Sequence, residues 1–451
     1  MANTLKRPRS FRLSHVQVIA LGFIGLILLG TVLLMLPFAS ADGQSASFRE
    51  ALFTATSASC VTGLVLRDTA TSWSLFGQTV IIILIQIGGL GFMTVATFAY
   101  ILLRKRMGLR NRETLVESIS TSQVGGVMKL AGTIGLVTLA VEGLGAILLA
   151  IRFIPMYGIG QGIWYGVFHS ISAFCNAGFD LMGIYEPFGS FMPFAGDWYV
   201  CTVLMLLITI GGLGFLVWDD ILKCGFHVRR YRLHTKIVLV TSAILTFGGA
   251  ALFFLYEGEA TGAGLPIGER ILTALFASVT ARTAGFNTID IASMSEGGRL
   301  LTLFLMLVGG SPGSTAGGAK TTTIAVVALY GFSGLIGRER PQVFKRTIPE
   351  KALYKSCSVL FFNLMLSIVA AVFLSRVDDI AMSETLFETF SAVGTVGMTA
   401  GITRDLSAVS AYVVAFLMYL GRVGSVSFGV ALLKKRTPAP VTYPQEDITV
   451  G

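Results

Sequence analysis

The chain has 451 residues, 53% of them hydrophobic and only 13% charged, with a mean hydropathy of +0.75. Soluble domains carry charge on about a quarter of their residues, so this balance excludes an ordinary soluble protein and indicates a lipid bilayer as its surroundings. The formal net charge of +9 raises nucleic acid as a partner, but the placement of that charge has a better explanation, and no nucleic acid is expected.

The chain opens with Lys6, Arg7, Arg9 and Arg12, followed by an uncharged interval from Leu13 to Ala41. This run is longer than the roughly 7 to 15 residues of a signal-peptide core, and Pro37-Phe38-Ala39-Ser40-Ala41 is a poor cleavage site. It reads as a retained first span. A short semi-polar helix follows, marked by Glu50 and Ala51-Leu52-Phe53, then Cys60 and the turn Val61-Thr62-Gly63-Leu64. A second apolar interval, Thr69 to Leu103, carries Gly88-Gly89-Leu90-Gly91 and ends at six basic residues between Arg104 and Lys129.

The same succession recurs three times. The second has Gly166-Val167-Phe168-His169, Cys175, Asn176-Ala177-Gly178-Phe179, and an apolar interval Trp198 to Trp218 containing Gly211-Gly212-Leu213-Gly214, closed by basic residues from Lys223 to Lys236. The third has Ile237 to Tyr256, Ala274-Leu275-Phe276, Arg282, Thr283-Ala284-Gly285-Phe286, then Gly309-Gly310, closed by basic residues from Arg338 to Lys355. The fourth has Ser356 to Ser375, Thr385-Leu386-Phe387-Glu388, Gly394-Thr395-Val396-Gly397-Met398, then Gly421-Arg422-Val423-Gly424 and three cations at 434 to 436. Successive turn glycines are 115, 107 and 112 residues apart, and each lies nine or ten residues after its phenylalanine. The third pore segment is the one that is a residue short.

Of the 34 Lys and Arg, 24 fall in the five basic segments and seven in the intervening connections. The positive-inside rule puts those segments, and both termini, on the cytoplasmic side. The expected fold is an all-α integral membrane protein with four tandem membrane helix, pore helix, membrane helix (M1-P-M2) units. That gives eight transmembrane helices and four re-entrant pore helices around a pseudo-fourfold pore. The units are 1–112, 113–232, 233–345 and 346–436, followed by a cytoplasmic tail at 437–451. Irregular backbone at membrane depth is tolerated only when buried in protein or lining a watery cavity, which suits the pore helices and turns. The paired glycines after each turn read as close helix packing through small residues. Cys60, Cys175, Cys201, Cys224 and Cys357 are odd in number and lack metal spacing, so they read as free thiols.

Glycine permits backbone that presents successive carbonyls in one direction, and four such strands can replace the hydration shell of a monovalent cation. Thr62, Asn176, Thr283 and Thr395 would add oxygens or brace the loops. No carboxylate lies within a turn, which argues against a divalent-selective ring. The turns, the Gly-Gly-Leu-Gly motifs and Arg422 together resemble the membrane subunit of Ktr potassium uptake systems, in the Trk/Ktr/HKT superfamily. The resemblance covers nearly the whole chain. It implies potassium as the transported ion, bound at filter carbonyls of Cys60 to Gly63, Cys175 to Gly178, Arg282 to Gly285 and Gly394 to Gly397. Gly63 stands where sodium-selective plant members carry serine. The family also implies a homodimer in the bacterial plasma membrane, a cytoplasmic nucleotide-binding RCK (KTN) ring as regulator, and a tail inserted at the dimer interface. Sodium activation is frequent in Ktr systems, but no residue is assigned to a sodium site.

Gly309 to Lys320 reads Gly-Gly-Ser-Pro-Gly-Ser-Thr-Ala-Gly-Gly-Ala-Lys. Glycine and proline disfavour a helix interior by about 1 and 3 kcal/mol, so the third second-span helix is expected to break, as the only strongly broken one. The resemblance makes this loop a gate below the filter, built from Gly309, Gly310, Gly313, Ser314, Thr315, Ala316, Gly317, Gly318, Lys320 and Arg422. Read as a phosphate loop the segment fails, because Ala319 occupies the position that requires lysine; no nucleotide site is expected. Lys320 reads equally as a helix-end lysine reaching for water or as part of the gate. Arg422 is expected to face the pore axis or the gate loop, and Arg282 to brace its turn through carbonyls or a pore-helix acid, with Glu388 as candidate partner. The four histidines, His15, His169, His227 and His234, are dispersed, so an enzyme is not expected. A transporter of sodium or another monovalent cation such as ammonium, in the same superfamily, is the alternative, and a membrane enzyme or sensor a more distant one.

Overall fold

A computed structural model of the chain describes residues 14–103, 109–118, 126–424 and 446. The basic residues at 6–12, 104–106 and 434–436, and the tail apart from Glu446, lie outside the described residues, so the expected insertion of the tail at a dimer interface lies outside them too.

The described chain is predominantly helical. Four helices are long and apolar enough to cross a bilayer: His15–Leu34, Val127–Tyr157, Leu233–Glu257 and Glu350–Asp378. Each packs against the shorter helix that follows it, respectively Phe48–Cys60, Ile159–Phe174, Ile267–Thr280 and Met382–Gly394. The start of Phe48–Cys60 is fixed by a reciprocal cap. Ser47 Oγ accepts from the Glu50 N–H at 3.3 Å while the Glu50 carboxylate accepts from the Ser47 N–H at 3.0 Å. The phenylalanines that mark these helices in the sequence, Phe53, Phe168, Phe276 and Phe387, are all at most 1% exposed, so they anchor the short helices in the interior.

The helices after the turns start on oxygen caps at Ser74, Asp197, Ser295 and Ser407. All four then end at their glycine motifs or at the loop that replaces them. Leu75–Leu90 stops at Gly91 (φ 78°) and Trp198–Leu213 at Gly214 (φ 94°), after which Phe215–Cys224 departs at 94°. Glu296–Leu307 gives way to irregular chain until Thr321–Leu335, and Ala408–Val423 stops at Gly424 (φ 94°). The break expected after the third turn alone is therefore found after the first and second turns as well, and the helix after the fourth ends at Gly424. Positive φ is open to glycine at no steric cost, and Gly91, Gly214 and Gly424 occupy equivalent places. By length and composition the described helices give four spans, or five if the bent Trp198–Cys224 pair counts as one.

The glycines that precede each break have a packing role. A Cβ on Gly88 would meet the Ser59 carbonyl, on Gly211 that of Phe174, and on Gly421 that of Val393. Each of these carbonyls lies four residues before its turn glycine. Small residues thus let a lining helix abut the end of a short helix.

Candidate functional site

The four short helices deliver their turns in a shared backbone form. Val61, Asn176, Thr283 and Thr395 have φ of 58°, 57°, 75° and 51°, and two residues later Gly63, Gly178, Gly285 and Gly397 have 97°, 69°, 81° and 92°. Left-handed φ at a non-glycine residue costs on the order of 1–3 kcal/mol, and three of the four are β-branched. Such strain persists only where neighbours enforce it. A hydroxyl inside each short helix does so. Ser57 Oγ accepts from the Gly63 N–H at 3.0 Å and Ser391 Oγ from the Gly397 N–H at 3.1 Å. Ser172 and Thr280 instead donate to the carbonyls just beyond the glycine, Phe179 O at 2.6 Å and Phe286 O at 2.7 Å. The third unit, one residue short, places Thr280 five rather than six residues before its glycine and keeps the bond. Sequence reasoning missed these four hydroxyls, although their recurrence before every turn was a readable signal.

The glycines meet at one point. A Cβ on Gly63 would lie 2.6 Å from the Ala177 carbonyl oxygen, and one on Gly178 2.7 Å from that of Ala284. A Cβ on Gly285 would meet the Val396 carbonyl, and one on Gly397 the Thr62 carbonyl, both closer still. Each glycine thus faces the carbonyl of the next turn, in the order first, second, third, fourth and back to first. Backbone oxygens and hydrogen-only α-carbons line the centre of this ring.

The flanking side chains divide unequally. With the Asn176 amide oxygen turned to Thr283 Oγ1 (3.2 Å), its nitrogen donates to the Ala173 and Ile208 carbonyls at 3.1 Å, tying the second turn to the third. The hydroxyls of Thr62 and Thr395 are fully buried without a protein partner. Cys60 and Cys175 are buried free thiols, Cys175 lying 3.8 Å from Gln86 Oε1 and Glu142 Oε1. Arg282 points away from the ring, its Nη2 donating to Thr246 Oγ1 at 2.5 Å on the long helix Leu233–Glu257. The expected Arg282–Glu388 pair is not formed. Glu388 instead accepts from Thr403 at 2.5 Å and Thr399 at 2.8 Å, residues of its own post-turn segment that are nearer in chain and present hydroxyls. His169, at the matching position of the second unit, accepts at Nε2 from the Leu181 N–H at 2.9 Å, leaving Nδ1 to donate to Tyr165 O at 2.7 Å. Both side chains tie a short helix to the chain beyond its turn.

On one side of the ring is a cavity of about 180 Å³ lined by all four turn glycines and by Asp68, Asp180, Asp290 and Arg404. On the other side lies the irregular segment after Leu307. It is stitched to the second unit by Ser311 N–H to Gly212 O (2.9 Å), Phe215 N–H to Gly313 O (2.6 Å) and Thr315 Oγ1 to Phe174 O (3.1 Å). Gly317 and Gly318 press on Thr395 and Gly394 of the fourth turn, where no Cβ would fit. Arg422 donates through Nη1 to Thr315 O, and through Nη2 to Gly88 O and Gly89 O at 2.5 and 2.7 Å. One guanidinium therefore joins the loop to the helix break of the first unit. Lys320 turns back onto the loop, donating to Ala316 O (2.8 Å) and Gly317 O (3.1 Å). Both cations also line a larger cavity, of about 670 Å³, beneath the loop. Among the described residues no three His, Cys, Asp or Glu side chains gather as a metal site.

Comparison with known proteins gives a consistent result. The family described as TrkH, cation transport protein, matches residues 6–438. The chain is 42% identical over 456 residues to the potassium/sodium uptake protein NtpJ of Enterococcus hirae, covering 99% of each. It is 37% identical to the Ktr system potassium uptake protein B of Bacillus subtilis, covering 98% of this chain and 97% of the relative. The crystal structure of the potassium transporter TrkH from Vibrio parahaemolyticus has a similar fold, with a TM-score of 0.74 over 95% of this chain and 87% of the other, at 17% identity.

Proposed function

The chain belongs to the TrkH family of cation transport proteins, and from that premise we propose that it carries potassium into the cell through the glycine ring. The observation that carries the reading is the cyclic arrangement in which each turn glycine faces the carbonyl of the next turn. Carbonyl oxygens held at fixed spacing replace the water shell of a monovalent ion, and the buried hydroxyl braces keep the ring from collapsing onto a smaller one. The residues of the filter are Cys60 to Gly63, Cys175 to Gly178, Arg282 to Gly285 and Gly394 to Gly397. Arg282 acts there by its backbone, since its side chain bonds to Thr246.

In this reading the units 1–112, 113–232, 233–345 and 346–436 are M1-P-M2 repeats and the loop Gly309–Lys320 is the gate. Arg422 latches the gate by holding Thr315 and the Gly88-Gly89 break together. A cytoplasmic regulatory ring acting on a homodimer would open the path by separating those contacts. Sodium as an activator, and termini on the cytoplasmic side, belong to the same reading. A second reading, sodium as a main substrate, is favoured by one observation: the Enterococcus hirae relative is a potassium/sodium uptake protein.

Growth at low potassium of a cell stripped of its own uptake systems tests the proposal. Expression of this chain with a cognate regulator is expected to restore growth, and Gly397→Ser to abolish the rescue, because a Cβ there meets the Thr62 carbonyl at φ 92°. Undiminished rescue by the membrane-inserted serine variant would reject the filter assignment. Strong competition of rubidium uptake by sodium would favour the second reading.

A further inference from the structure

From turn glycine to glycine motif the second unit takes 33 residues, against 25, 24 and 24 in the others. The surplus lies in the connection. The next helix starts 20 residues after Gly178, at Trp198, whereas Leu75, Glu296 and Ala408 start 12, 11 and 11 residues after their glycines. This longer connection contains the short turns Met182–Ile184 and Met192–Phe194, and its crown is Phe188-Gly189-Ser190. The crown reaches all three other units. The Phe188 N–H donates to Asp68 Oδ2 at 3.0 Å, Ser190 Oγ accepts from the Asn287 N–H at 3.2 Å, and the Arg404 guanidinium lies 4.4 Å from the Phe188 ring centroid. Phe188 and Ser190 both adopt left-handed backbone, with φ of 66° and 47°. Strain of that kind survives only where the surroundings over-determine it and is concentrated at functional sites.

The crown also holds a carboxylate. Asp180 accepts from the Met182 N–H at 2.9 Å and lies beside the Ser190 hydroxyl. Two residues beyond the ring glycines stand Val65, Asp180, Asn287 and Thr399, all lining the outer cavity. Asp180 is the one carboxylate at that level. Resting on the filter reading above, we propose that Asp180 is a cation-recruiting residue at the outer end of the ring and that the strap 181–197 is the element positioning it. A negative group at the narrow mouth of a low-dielectric cleft raises the local cation concentration. Asp180 therefore acts on how readily an ion is captured and leaves the choice between potassium and sodium to the ring.

The other charged groups facing the cavity are Asp68, Asp290 and Arg404, with Glu388 behind Thr399 and Thr403.

Rubidium uptake by the full chain with its regulator, measured against rubidium concentration at neutral pH, tests this. Asp180→Asn is expected to raise half-saturation about tenfold and to keep the maximal rate and the potassium-to-sodium preference. Asp180→Glu should restore part of the affinity, and Ser190→Ala should shift half-saturation in the same direction by less. Unchanged half-saturation in Asp180→Asn overturns the proposal; if that variant does not reach the membrane, unchanged half-saturation in Ser190→Ala does so. Failure of the filter reading itself is distinguishable, because Gly397→Ser would then transport normally.

Discussion

Ser391 shows how one hydroxyl can support a strained turn. Its Oγ is the acceptor for the Gly397 N–H, inside a turn where Thr395 is held at φ 51°. Replacing it with alanine strands a buried N–H, at a cost of about 1–3 kcal/mol, while the turn stays enclosed by its neighbours. Ser391→Ala is expected to weaken discrimination between rubidium and sodium while uptake continues, which competition assays on the variant would read directly; unaltered discrimination would mean that the hydroxyl bond does not set the ring. At this scale the sequence was informative about the turns and poor about their supports. The turn glycines, Arg422 and the flanking threonines stood out because each departs from an apolar background. Ser57, Ser172, Thr280 and Ser391 did not, since serine and threonine in a short semi-polar helix have many uses, and their one signal, recurrence before every turn, does not by itself distinguish a brace from a solvated hydroxyl. The Arg282–Glu388 expectation failed for a related reason: opposite charge suggests a pair, but Thr246 lies within reach of the guanidinium and two threonines within reach of the carboxylate.

The interrupted lining helices matter most at the scale of elements. The long apolar helices were readable from composition, because a span needs about 20 apolar residues and leaves few alternatives. The breaks at Gly91 and Gly214 were less so, because Gly-Gly-Leu-Gly fits close packing and helix termination equally, and here it serves both. The loop Gly309–Lys320 was legible as irregular chain, but not its stitches to Gly211, Gly212 and Phe174, which join residues about 100 or more positions apart. Arg422 holds this element in place from the opposite side. Arg422→Ala removes three bonds to carbonyls, two of them in the first unit, and should free the loop. Its expected effect is a higher maximal uptake rate with unchanged preference among potassium, rubidium and sodium. Unchanged kinetics in a flux assay would show that the arginine is not a latch.

For the whole molecule, the order of the four units around one axis follows from which carbonyl each turn glycine faces. Near-equal spacing of the glycines suggested a ring, and the unequal parts give it two distinct ends. The long connection after the second turn crosses one mouth of the ring, and the long loop after the third lies at the opposite one. Of these, the 33-residue interval was visible in the sequence, but its contacts with Asp68, Asn287 and Arg404 depend on the assembled fold. The most direct test is rubidium accumulation by purified protein in proteoliposomes, wild type against Gly63→Ser, with potassium and sodium as competitors. A Cβ at Gly63 would lie 2.6 Å from the Ala177 carbonyl oxygen at φ 97°. The expected result is accumulation displaced by potassium and hardly by sodium in the wild type, with that preference lost in the variant. Equal displacement by both ions in the wild type, or an unchanged preference in Gly63→Ser, would contradict the assignment of the glycine ring as a potassium filter.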